Sequence, residues 1–101
     1  MSIIRSNFGV NVLGYLKYDF GIAQLGKLII ACLEHAKIPY VANNFETFNH
    51  NLSTEDVDNV DDDNIYPVNI VVINAREMKD VINKKGETYF LNKYNIGIWC
   101  W

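Results

Sequence analysis

Apolar and polar positions alternate in distinct rhythms along the chain. Phe8 to Leu16 is rich in β-branched and aromatic residues and follows a polar stretch, which predicts a strand. From Ile22 to Lys37 the apolar positions recur at helical spacing. Ile22, Leu25, Leu28, Ile29, Cys32, Leu33 and Ala36 predict one broad buried face, with Gln24, Lys27, Glu34 and Lys37 on the other. Asp19 stands where a side-chain oxygen would cap the first helical turn. Ile38-Pro39 closes the helix, because proline restricts the residue before it and has no N–H to continue the ladder. Tyr40 to Asn43 is then a short strand.

Residues 43–64 break the rhythm. These 22 positions hold six Asn, seven acidic residues and no Lys or Arg. They read as a surface loop, with Ser53, Glu55 and Asp56 suited to opening one short helical turn. Regularity returns at Tyr66. Val68 to Ile73 is nearly continuous in Val and Ile, as in a strand covered on both faces, and Pro67 is tolerable at its first residue. Ala75 to Lys85 predicts a second helix, with Asn74 as its N-cap and Gly86 as its stop. Glu87 to Lys93 adds one more helical turn, and Asn95 to Trp101 is the last strand. The order strand, helix, strand, loop, strand, helix, strand predicts an α/β fold. It is a Rossmann-like half: a mainly parallel, four-stranded sheet with flanking helices and right-handed crossovers.

At 101 residues the chain suits a single domain spanning 1–101. Nine basic against twelve acidic residues give a formal charge of −3, which speaks against a phosphate-facing nucleic-acid surface. No signal peptide is legible, and no apolar run approaches the roughly 18 residues that span a bilayer. The chain reads as cytoplasmic. Cys32 and Cys100 lie in apolar runs without metal-ligand spacing, which predicts two reduced core thiols and no metal. The sequence calls for no resident cofactor. The chain ends on an apolar strand that nothing covers, so it is expected to be part of a longer protein or to self-associate.

Open α/β sheets bind ligands at the carboxyl ends of their strands. That rule selects Gly14, Tyr15, Lys17, Asp19 and Gly21 after the first strand, Asn43 and Asn44 after the second, Asn74 after the third, and Trp99 and Trp101 at the fourth. The first loop enters a helix whose free N–H groups suit an anion. Aromatic rings at strand ends suit the apolar faces of sugars. Gly26, inside the helix, predicts close helix-on-strand packing. Gly21-Ile-Ala-Gln-Leu-Gly26 is one residue from a dinucleotide fingerprint, with Glu46 20 residues on. Ala23 takes the place of the second glycine there. The acidic loop lacks the glycine and terminal glutamate of an EF-hand. No Ser–His–Asp or Cys–His arrangement is spaced for catalysis, so no catalytic residue is assigned.

Several segments, in order, resemble one family. Gly9-Val-Asn-Val-Leu-Gly-Tyr-Leu and Gly21-Ile-Ala-Gln-Leu-Gly-Lys27 resemble the opening of bacterial group 1 (family 4) glycosyltransferases, with its GVNVVGY strand and GLGEAAR helix. Tyr66-Pro-Val-Asn-Ile and Ile73-Asn-Ala75 resemble its YPVNLLHLNA run, and Tyr94 to Trp101 its YNIGYWHWE segment. Ala23, Gln24, Lys27 and Cys100 differ from the family's glycine, glutamate, arginine and histidine. The resemblance implies the N-terminal, acceptor-side domain of a two-domain GT-B enzyme, with Gly14 and Gly21 facing the interdomain cleft. It implies a nucleotide-sugar donor as substrate, a sugar or glycan acceptor, and a C-terminal donor-binding domain as partner. The donor domain's E-x7-E motif has no counterpart here. A stand-alone Rossmann or flavodoxin-like binding module remains the alternative, as does a homo-oligomer formed through exposed apolar surface.

Overall fold

The computed structural model describes residues 8–18, 21–45 and 63–98. The elements run β1 (Val10–Gly14), α1 (Gly21–His35), β2 (Tyr40–Asn44) and β3 (Val68–Val72), then a 3-10 turn (Ala75–Glu77) into α2 (Met78–Lys85), a second 3-10 turn (Glu87–Tyr89) and β4 (Tyr94–Ile98). All four strands are parallel, in the order β2-β1-β3-β4. The α/β, Rossmann-like reading of the sequence is what the chain adopts.

Period-two alternation sorts each strand onto two faces. Val12 aligns with Ala42 and Ile70 on the face that α1 covers. Gly26 of α1 sits over Leu16 and Val72 there. Asn11 aligns with Val41 and Asn69 on the other face, where Tyr89 and the loop at 63–66 close over the sheet. Val12, Leu13, Leu16, Val72, Ile73 and Val81 are fully or almost fully buried, and they join the helices to the sheet in one core.

α2 stops at Gly86 as expected, whereas α1 ends at His35, two residues short of Lys37. Lys37 takes a left-handed φ of 60° after α1, and Ile38 N–H bonds back to Leu33 O at 2.9 Å. Gly86, at φ 81°, stops α2. Boundaries shift elsewhere. The first strand is shorter than Phe8 to Leu16, because Tyr15 and Leu16 already turn away. The second helix opens as a 3-10 turn, and Asn74 precedes it without a side-chain cap bond. Pro67 lies before β3. The last strand starts at Tyr94, and its predicted end at residues 99–101 falls outside the described residues, as does the turn at Ser53.

The helix face needs a correction. The buried side of α1 is Ile22, Ala23, Gly26, Ile30 and Leu33. Leu28 is 59% exposed, and Cys32 and Ala36 are exposed too. The small residues Ala23 and Gly26 let the helix approach the sheet, so they turn inward and the larger Leu28 rides out. Cys32 is therefore a surface thiol rather than a core one, and Cys100 lies outside the described residues. α1 leans on β1, β3 and β2 and makes no contact with β4. Tyr94 and Ile96 stay 71% and 37% exposed as a result.

Candidate functional site

β1 and β3 lie side by side, yet the chain leaves β1 for β2 and leaves β3 for β4. The connections part in opposite directions at their carboxyl ends, which is the position where open α/β sheets form a ligand crevice. Residues after β1 and after β3 stand at that position.

The loop after β1 is pinned from three sides. Phe45 N–H donates to Gly14 O at 2.8 Å, and Lys17 N–H donates to Asn44 Oδ1 at 3.2 Å. Tyr18 N–H closes a turn onto Tyr15 O at 3.2 Å. Tyr15 is fully buried, with edge-on ring contacts to Phe45 at 5.8 Å and Tyr18 at 6.3 Å. Its hydroxyl bridges the crevice floor: it accepts from Asn74 N–H at 3.2 Å and donates to the Glu77 carboxylate. Burial first, then that hydrogen bond to Glu77, pushes the Tyr15 phenol far above its ordinary range, so it stays protonated and neutral. Tyr15 is thus a clasp between two loops rather than a group that meets ligand.

The accessible surface is built by its neighbours. Lys17 is exposed, Asn74 and Glu77 are half-buried, and Gly21 is exposed with open space where a side chain would be. Gly14 is buried as the last residue of β1, and a methyl group there would meet only ordinary contacts at 3.6 Å. No acidic side chain stands in the first turn of α1 to oppose an anion at its amino end. The structure therefore places Gly14, Tyr15 and Lys17 at the end of β1 and in the loop after it, joined to Asn74 through the Tyr15 hydroxyl, with Gly21 opening α1. Asp19, Trp99 and Trp101 lie outside the described residues.

One feature was not singled out in the sequence. Glu77, the partner of Tyr15, sits three residues after the strand-end Asn74, where a helical turn brings it back; that spacing was its only signal. Asn43 is completely buried rather than at a rim, accepting from Tyr89 Oη at 2.6 Å and donating to Asp63 O at 3.0 Å. Burial pushes the Tyr89 phenol up as well. Among the described residues no group of His, Cys, Asp and Glu is arranged to hold a metal ion, and no helix is long and apolar enough to cross a membrane. No protein-family model, curated protein or solved structure matches this chain.

Proposed function

We propose that this chain forms the N-terminal, acceptor-side half of a nucleotide-sugar-dependent glycosyltransferase of the two-domain GT-B kind. One observation carries the reading. Two of the segments that resemble that family, Gly9 to Leu16 and Ile73 to Ala75, are joined at adjacent strand ends, where the Tyr15 hydroxyl accepts from Asn74 N–H. Lys17 and Asn74 would offer donors to a sugar hydroxyl. The free N–H groups of α1 would favour charge developing on a diphosphate leaving group as an oxocarbenium-like centre passes to the acceptor. The donor nucleotide would be held by a second domain, so the chain alone is expected to lack turnover. The bare α1-side of β4 would rest against that domain or a second copy.

The test is a titration of the labelled chain with UDP- and GDP-sugars and with NAD, alongside a transferase assay. Weak nucleotide-sugar shifts at Gly21 to Gln24 and no turnover are expected. Turnover by the isolated chain, or a clear preference for NAD, would overturn the reading. The strand order favours a second reading, because flavodoxin-like binding modules share the order β2-β1-β3-β4. That module would bind its ligand with full affinity and no second domain.

A further inference from the structure

A polar pocket of about 360 Å³ opens on the α2 side of the sheet, lined by Asp63, Asn64, Lys84, Lys85, Thr88 and Tyr89. It shares no lining residue with the β1–β3 crevice, and the 63–64 part of its wall is fixed. Asn43 Nδ2 donates to Asp63 O at 3.0 Å and Lys93 Nζ donates to Asn64 O at 2.8 Å, which pins the 63–64 backbone. Asn64 Nδ2 donates to Asn69 Oδ1 at 3.2 Å and to Tyr89 O, which sets its carboxamide and leaves Oδ1 as an acceptor. The two ammonium groups lie over aromatic rings, Lys84 at 5.2 Å from the Phe45 centroid and Lys85 at 6.0 Å from the Tyr89 centroid. Among the described residues, Lys85 has no carboxylate partner and the Thr88 hydroxyl has no hydrogen-bond partner.

We propose that this pocket binds a small phosphate monoester carrying free hydroxyls. The Lys85 ammonium and the Thr88 hydroxyl match a phosphate group, and lysine binds phosphate as a point charge. Asp63 and Asn64 Oδ1 supply acceptors for hydroxyls on the ligand body. The volume sits at the lower end for small-molecule pockets, larger than a bare ion needs. Because the 63–64 backbone and the Asn64 carboxamide are held before the ligand arrives, that side of the pocket adds little ordering cost to binding. The proposal stands whether or not the chain is part of a transferase.

Glycerol 3-phosphate is the probe, titrated into the ¹⁵N-labelled chain, with inorganic phosphate, lactate and glycerol as separate arms. Saturable shifts are expected at Asn64, Lys85 and Thr88, with inorganic phosphate acting at the same amides more weakly. Lys85→Gln and Thr88→Val should each weaken binding about tenfold, while Lys79→Gln, at an exposed lysine outside the pocket, leaves it unchanged. The proposal falls if glycerol 3-phosphate gives no saturable shift, or if lactate or glycerol binds as tightly. It also falls if both variants keep the wild-type spectrum and the wild-type affinity.

Discussion

The carboxamides of Asn11 and Asn69 meet at 2.8 Å across the β1–β3 seam, both completely buried. Asn69 Nδ2 passes the chain of bonds on to Asn95 Oδ1 at 2.9 Å and also donates to Tyr89 O. Asn11 donates to Tyr66 O at 2.8 Å and Val68 O at 3.1 Å, and its Oδ1 accepts from Tyr66 N–H at 3.0 Å. The ladder runs across three aligned strands and fastens the loops on both sides of β3. A register slip of one residue would turn every member to the other face.

Asn11→Asp tests the ladder. The substitution replaces a donor with an acceptor facing three oxygens. At pH 7 it should cost roughly 3–5 kcal/mol, the penalty of an unpaired buried charge. The new carboxyl's pKa is raised in the fold, so stability is regained as pH falls towards the unfolded carboxyl value and lost as pH rises. Asn95→Asp, on an exposed residue, should cost much less. Urea midpoints of the two variants at pH 4 and 7 check both statements.

Two glycines should respond oppositely to alanine. A methyl group on Gly9 would lie 2.5 Å from the Tyr66 ring and 2.8 Å from Pro39 O. Gly9→Ala should destabilise by about 1–3 kcal/mol through overpacking. At Gly26 the nearest atom would be Leu16 Cδ2 at 3.7 Å, an ordinary contact. Gly26→Ala should gain up to about 1 kcal/mol from helix propensity. Thermal melts of the pair decide the sign at each position.

Alkali should unfold the protein through Tyr15 and Tyr89. Both phenols are raised above their unfolded value of 10.0, chiefly by burial, so the unfolded chain releases these protons first. Their contribution is fully present below that pH and is lost as pH climbs beyond it, by up to about 1.4 kcal/mol per pH unit per phenol. Denaturation at successive pH values should show this fall in the wild type. A Tyr15→Phe, Tyr89→Phe double variant should show a shallower one.

Self-association should occur through β4, where Tyr94 and Ile96 present an apolar stripe. Sedimentation should show a dimer growing with concentration, and Ile96→Lys should abolish it. A strictly monomeric wild type at high concentration would contradict the assignment.

The strands and helices were legible because their apolar periods differ and because Pro39 and Gly86 punctuate them. The inward side of α1 was not, because side-chain size ranks Leu28 above Gly26, whereas close helix-on-sheet packing reverses that order. The ladder left a trace in the repeated triplets Val10-Asn-Val12, Val68-Asn-Ile70 and Tyr94-Asn-Ile96. Register turns those triplets into contacts, and register follows from strand order. The rule for strand ends selects Gly14, Lys17 and Asn74 as candidates. It selects Tyr15 too, but burial gives that residue a holding role, a distinction that depends on Glu77 folding back.

The crevice between the ends of β1 and β3 is the surface on which the functional account rests. The most direct measurement is an amide-resolved titration of the labelled chain with short saccharides, repeated on Lys17→Ala and Asn74→Ala. Shifts are expected to group at Gly14 to Lys17, Gly21 and Asn74, and to weaken in both variants while their spectra otherwise overlay the wild type. Shifts grouped elsewhere, or no saccharide binding at any accessible concentration, would contradict it.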